Sequence, residues 1–150
     1  AASDVYKRQN VCNSLIFGCA KLKIRISIAT PNGCEPSSVA VSTAKLHTDI
    51  QLTNEPKDAI VDADVVMTDT FVSIHNNEKD RLKKFLPKFQ VNTTLMKQAK
   101  EDAIFLHCLP AKRDQEVTSD VIDGPQSVIW DEAENRLHVQ KALLISLLGF

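Results

Sequence analysis

Short, β-branched apolar runs alternate with helix-forming segments along most of this 150-residue chain. Each strand-like run is followed by a stretch in which apolar residues recur at helical spacing. Such alternation predicts βαβ units, whose parallel strands form a sheet covered by helices on both faces. We therefore expect a single α/β domain with a parallel sheet.

The predicted elements also locate a binding site. Strands are expected at 24–30, 50–54, 64–69, 103–108 and 127–130. Helices are expected at 10–23, 38–46, 55–63, 78–86, 93–100 and 133–148. Ligands of parallel sheets bind beyond the carboxyl ends of the strands. The loops 30–31, 69–73 and 107–110 are therefore expected to hold the functional side chains.

Composition excludes several classes of function. The chain is 43% hydrophobic and 25% charged with a net charge of -1, which favours a soluble protein and disfavours nucleic acid or an anionic membrane as partner. No apolar stretch approaches the roughly 20 residues that span a bilayer, and no signal-peptide pattern opens the sequence. We predict a cytoplasmic protein with reduced cysteines. With four glycines and no phosphate-binding glycine motif, a nicotinamide or ATP enzyme is disfavoured.

The stretch "FLHCLPAKR" (105–113) ends a predicted strand with a histidine and a cysteine. Cys108 has a functional interpretation, as an activated thiolate or a soft contact for an amine, and a structural one, as a small packed side chain. Its position alone does not decide between them. His107 and Cys108 are adjacent, so their side chains diverge on a strand, and no second ligand pair has metal-site spacing. The sequence therefore predicts no metal site.

Three further polar residues have two interpretations each. Asp69 follows a strand and either holds an ammonium group or satisfies local turn amides. Ser73, in the same loop, either donates to a ligand or turns the chain. Arg136 either forms surface ion pairs or presents a fork to a carbonyl or phosphate oxygen. Asn10 is favoured as a helix cap.

Several motifs together resemble the ornithine carbamoyltransferase family. "HCLPAKRDQEVTSDVIDG" followed by "DEAENRLHVQKALL" is similar to the C-terminal half of such enzymes. "ADVVMTDTFVS" and "NVCNSLIFGCAKLKIRISIATPNG" resemble earlier parts of the same ornithine-binding domain, in the same order. The similarity runs from about residue 10 to the C-terminus. It implies a Rossmann-like domain over 10–150, the second half of a two-domain enzyme.

The resemblance implies a site for ornithine. Cys108 would be the catalytic cysteine facing the side-chain amine. Asp69 and Ser73 would hold the amino-acid end, helped by Asn10 and by the backbone amide of Ile74.

It also implies a site for carbamoyl phosphate. Leu109 would offer its backbone carbonyl, Arg136 would touch the carbamoyl oxygen, and His107 and Cys108 would complete the site. The implied reaction transfers the carbamoyl group from carbamoyl phosphate to L-ornithine, giving L-citrulline and phosphate, without metal or organic cofactor. The family further implies a homotrimer or higher oligomer and a role in arginine metabolism.

The chain departs from the family pattern in three places. Ile74 and His75 stand where the family has Met-Gly, and Phe71 stands where it has tryptophan. Residues 1–9 lack the expected G-D-G-N-N and are predicted to be foreign to the fold.

The family's N-terminal carbamoyl-phosphate domain, with its S-x-R-T-R and H-P-x-Q motifs, is not represented in these 150 residues. We therefore expect no turnover by this chain alone, and marginal folding at best. Two alternatives stay open: a non-catalytic amino-acid-binding module, and a related carbamoyltransferase acting on putrescine or an acylated ornithine.

Overall fold

The computed structural model describes residues 10–72 and 79–149. The chain divides into two compact units. The described part of the first unit comprises residues 10–61, 71–72 and 79–89, and that of the second comprises residues 62–70 and 90–149. Each unit contains one pair of parallel strands.

The first unit contains four helices and two strands in its described residues. They are α1 (Asn10–Leu22), β1 (Ile26–Ala29), α2 (Ser38–Ala44), β2 (Ile50–Thr53), α3 (Pro56–Ile60) and α4 (Lys79–Phe85). Strands β1 and β2 pair in parallel from Ile26↔Ile50 onward. Helices α1 and α2 bury small and branched side chains against β1, with Ile16 and Ala44 fully buried. The close helix contact follows from these small residues.

An aromatic cluster forms a second core in the same unit. The rings of Phe71 and Phe85 stack with centroids 4.5 Å apart, and Phe89 meets Phe85 edge-on at 5.7 Å. Arg81 Nε donates to the Phe71 carbonyl oxygen at 2.8 Å. Phe71 is therefore a packed core side chain, 7% exposed.

The second unit carries the other strand pair. Its elements are β3 (Val65–Thr68), α5 (Thr93–Met96), β4 (Ile104–His107), α6 (Ser119–Ile122) and α7 (Ile129–Leu148). Strands β3 and β4 are parallel and in register from Val65↔Ile104 to Thr68↔His107. Phe105, at the centre of β4, is fully buried, as are Val117 and Ile129.

The α/β class with parallel strands is confirmed, and the structure refines the predicted elements. Where one sheet was expected, the described strands form two hydrogen-bonded pairs. The predicted strand 127–130 is wrong: only Ser127 bridges to Phe105, and helix α7 begins at Ile129. Asp131 and Glu132 lie in its first turn, where acidic side chains favour a helix N-terminus. The predicted helix 93–100 ends at Met96, and α6 was not predicted.

Helix α7 is largely exposed beyond its first turn. Its exposed apolar side chains are Trp130, Leu137, Val139, Leu143, Leu144, Ile145, Leu147 and Leu148. Within the described ranges, no helix is both long and apolar enough to cross a membrane.

Candidate active site

The register of β3 and β4 brings a carboxylate beside a thiol. Thr68 and His107 are the last paired residues, so Asp69 and Cys108 are the next residue of each strand. Neighbouring strands lie about 4.8 Å apart, which leaves facing side chains within reach of each other. Cys108 Sγ donates to Asp69 Oδ1 at 3.3 Å. Two residues that are distant in sequence therefore form one polar site at a strand end.

Asp69 satisfies a local amide and also faces the thiol. Its Oδ1 accepts the Thr70 N–H at 2.7 Å, as a turn acid would. The same oxygen accepts the Cys108 thiol, while Oδ2 accepts no hydrogen bond from the described residues. The turn interpretation of Asp69 is therefore confirmed, and its role in holding an ammonium group stays a prediction.

Cys108 is an exposed residue with a free thiol. Partial burial of the sulfur, together with the neighbouring Asp69 carboxylate, raises the pKa of the thiol to about 12. Since a thiolate is the nucleophilic form of cysteine, the Cys108 thiol stays protonated near neutral pH. The environment therefore favours a hydrogen-bonding contact over an activated thiolate.

His107 precedes the thiol and is completely buried. Its Nδ1 accepts the Leu109 N–H at 2.9 Å, which assigns the proton of a neutral ring to Nε2. Its backbone N–H donates to Glu132 Oε2 at 2.9 Å. His107 thus links the end of β4 to the loop that follows and to the first turn of α7.

Leu109 adopts a left-handed backbone conformation with φ of 52°, and a cis peptide joins it to Pro110. The left-handed conformation costs a non-glycine residue roughly 1–2 kcal/mol, so the contacts around Leu109 must maintain it. Local strain of this kind is concentrated at functional sites. The backbone turns sharply immediately after Cys108.

The remaining predicted site residues are distributed as follows. Arg136 lies exposed on α7 and makes no hydrogen bond or ion pair with any described residue. Asn10 is exposed at the start of α1, in the first unit. Ser73 and Ile74 lie outside the described residues, as does His75. Residues 10–72 and 79–149 contain no group of three or more His, Cys, Asp or Glu side chains placed to hold a metal ion.

Two residues at this site were not predicted. Glu116 is fully buried, and its Oε1 lies 3.3 Å from His107 Nε2. Glu132 Oε2 accepts the backbone N–H of His107 at 2.9 Å. A glutamate in a polar stretch such as "DQEVTSD" carries no sequence signal for burial. Nothing in "DEAENR" marks Glu132 as the acceptor of a backbone amide 25 positions away.

These features define the class of the protein. It is an α/β domain with parallel strands, and a thiol and a carboxylate form a polar site at the carboxyl ends of β3 and β4. A sequence model of the aspartate/ornithine carbamoyltransferase Asp/Orn binding domain matches residues 3–147. The chain belongs to this family.

Individual relatives agree. The ornithine carbamoyltransferase of Cenarchaeum symbiosum (strain A) is 59% identical over 138 residues, covering 92% of this chain and 46% of the relative. The solved ornithine carbamoyltransferase from Pyrococcus furiosus is 45% identical with a TM-score of 0.82, covering 89% of this chain and 44% of that chain. The anabolic enzyme from Campylobacter jejuni subsp. jejuni NCTC 11168 is 37% identical with a TM-score of 0.85, covering 93% and 48%. The chain spans about half the length of the relatives that it matches.

Proposed function

We propose that this chain is the ornithine-binding half of an ornithine carbamoyltransferase. The full-length protein would transfer the carbamoyl group of carbamoyl phosphate to the side-chain amine of L-ornithine, giving L-citrulline and phosphate. The observation that carries the proposal is the contact of 3.3 Å between Cys108 Sγ and Asp69 Oδ1 at paired strand ends. This contact places a protonated thiol beside a carboxylate, and an amine can form hydrogen bonds with both groups.

The amine is bound by complementary groups. A side-chain ammonium of ordinary pKa, about 10.4, is charged near neutral pH and favours a carboxylate partner. Asp69 Oδ2 would accept one of its N–H groups. The lone pairs of Cys108 Sγ would accept another, while the thiol keeps its proton and donates it in the hydrogen bond to Asp69 Oδ1. The two contacts orient the nitrogen for attack.

The chemical step then follows. Once the ammonium has lost one proton to water, its nitrogen forms a bond to the carbamoyl carbon, and the bond from that carbon to the phosphate oxygen breaks. The second proton that the nitrogen loses is taken up by the departing phosphate. Arg136 is proposed to stabilise the carbamoyl oxygen, and the Leu109 carbonyl to accept from the carbamoyl amide. His107 is proposed to contribute to the same site.

The amino-acid end of ornithine requires other groups. Asn10, Ser73 and the backbone amide of Ile74 are proposed to hold it with Asp69, on the basis of the family resemblance. A homotrimer or higher oligomer, a cytoplasmic location and a role in arginine metabolism are proposed for the full-length protein on the same basis. The molar mass measured by light scattering tests the oligomer.

Citrulline formation by the purified full-length protein tests the proposal. With carbamoyl phosphate, we expect turnover with ornithine and at least tenfold lower kcat/KM with putrescine, because putrescine lacks the amino-acid end. Cys108→Ala is expected to lower kcat/KM by roughly 10- to 100-fold, since it removes a positioning contact. Cys19→Ala, on α1, is the matched control and should leave the rate unchanged.

The 150-residue chain assayed alone should form no citrulline, because the phosphate-binding motifs of the family are not in it. Absence of citrulline from the full-length protein, or full activity of the Cys108→Ala variant, would overturn the proposal. Preference for putrescine would favour the related carbamoyltransferase instead.

A further inference from the structure

A buried ionisable pair lies directly behind the candidate site. Of the polar and charged side chains that the structure describes, His107 and Glu116 are the two that are buried, both at 0% exposure. Removing a carboxylate from water is costly, and an apolar pair of similar volume would fill the same space without that cost. A role in orienting neighbouring groups explains why polar side chains occupy this position.

The pair connects two points of the loop after β4. Glu116 Oε1 accepts the Lys112 N–H at 2.5 Å and lies 3.3 Å from His107 Nε2. Glu116 Oε2 and His107 Nε2 make no hydrogen bond of acceptable geometry. The carboxylate is therefore fixed by the Lys112 amide, and it faces the ring nitrogen that carries the proton.

The opposite side of the imidazole holds the strained residue. Because His107 Nδ1 accepts the Leu109 N–H at 2.9 Å, it stabilises a backbone conformation that leucine otherwise avoids. Cys108 lies between these two residues, so this hydrogen bond holds the backbone from which its Sγ projects toward Asp69. A proton on Nδ1 would remove the acceptor and release Leu109.

We propose that Glu116 is a positioning residue: its carboxylate keeps the His107 proton on Nε2, so that Nδ1 holds the Leu109 amide and Cys108 stays against Asp69. The inference rests on the proposed carbamoyl transfer, for which Cys108 and the Leu109 carbonyl must be held in place. Glu116 acts through His107 and does not touch the reacting atoms.

Two substitutions of His107 separate the two sides of the ring. In His107→Asn the amide oxygen lies near the position of Nδ1 and can still accept the Leu109 N–H. In His107→Gln the amide lies near the position of Nε2 and leaves that N–H without its acceptor. In the full-length protein we expect kcat/KM of His107→Gln to be about 10- to 100-fold below that of His107→Asn.

Alkylation of Cys108 by iodoacetamide provides a readout that does not depend on turnover. In His107→Gln the sulfur moves away from Asp69, so alkylation at pH 8.5, followed by peptide mass spectrometry, should be faster by about threefold or more. In His107→Asn it should match the wild type. Equal alkylation rates in the two variants would overturn the inference. If the wild type forms no citrulline, the proposed function fails, and alkylation still tests the positioning role.

Substitution of Glu116 completes the test. Glu116→Leu removes the acceptor at similar volume and should behave like His107→Gln, whereas Glu116→Gln keeps an oxygen for the Lys112 amide and should stay near the wild type. Glu101→Gln, at an exposed position in the same unit, is the matched control. If Glu116→Leu does not fold, the His107 pair decides. A folded Glu116→Leu with unchanged alkylation and kinetics contradicts the proposal.

Discussion

At the scale of single residues, the protonation state of the Cys108 thiol determines the chemistry that is available to the site. Its pKa of about 12 keeps the sulfur protonated, with the proton directed to Asp69. A protonated thiol beside a carboxylate positions an amine without competing as a nucleophile. This protonation state could not be predicted from the sequence, because it depends on partial burial and on a neighbour 39 positions away.

Removal of the Asp69 charge should expose this effect. Asp69→Asn lowers the pKa of Cys108, because a neutral amide no longer opposes the thiolate, and the thiolate fraction at pH 8.5 rises. We expect alkylation of Cys108 by iodoacetamide to accelerate by about tenfold, less than the gain in thiolate because nucleophilicity falls with pKa. Peptide mass spectrometry of the full-length protein measures the rate.

The control for this experiment is Asp58→Asn, which removes an exposed carboxylate on α3. It should leave Cys108 alkylation at the wild-type rate. An unchanged or slower rate in Asp69→Asn would show that the Asp69 carboxylate does not suppress the thiolate.

At the scale of elements, the pairing of β3 with β4 creates the site. Both strands were predicted within one residue of their observed ends, and their carboxyl ends were expected to carry the functional side chains. The register Thr68↔His107, which makes Asp69 and Cys108 neighbours, could not be read from either strand by itself. Register depends on how the two strands pack on the rest of the unit.

The failed prediction at 127–130 has a physical cause. "SVIW" has strand-like composition, yet only Ser127 bridges to β4, where Phe105 N–H donates to the Gln126 carbonyl oxygen at 2.8 Å. Ile129 instead begins α7, and its side chain is buried. A short apolar run does not distinguish a strand from the first turn of a buried helix.

Phe105 anchors β4 and should dominate the stability of this element. Phe105→Ala removes a ring that is 0% exposed and leaves a cavity, so we expect a loss of about 3–5 kcal/mol in the free energy of unfolding. Urea unfolding of the full-length protein, followed by circular dichroism, measures the loss.

The comparison variant is Phe17→Ala on α1, where the ring is 42% exposed. Since less apolar area is removed from contact, its loss should be smaller by at least about 1 kcal/mol. Equal losses would mean that Phe105 does not pack as the structure describes.

At the scale of the whole molecule, the chain corresponds to one domain of its relatives. It matches the Asp/Orn binding domain over residues 3–147 and spans about half the length of its relatives. The prediction that residues 1–9 are foreign to the fold stays a prediction, and the match to the family begins at residue 3. The motifs "HCLP" and "DEAENR" were sufficient to predict the family, because they place a thiol and an arginine at family spacing.

Glu116 shows why the rest of the site could not be predicted. No periodicity or motif distinguishes it from the exposed acids around it, and its burial arises only when the loop after β4 folds against His107. Arg136 shows the converse case. The resemblance assigns it a role at the carbamoyl oxygen, yet in the described residues it remains exposed without an ionic partner.

Protection of Cys108 tests the central claim most directly, that the side-chain amine of ornithine meets this thiol. In the full-length protein with carbamoyl phosphate present, the account predicts that saturating ornithine slows iodoacetamide alkylation of Cys108 at least tenfold and leaves that of Cys19 unchanged. Citrulline formation with no protection of Cys108 would contradict it.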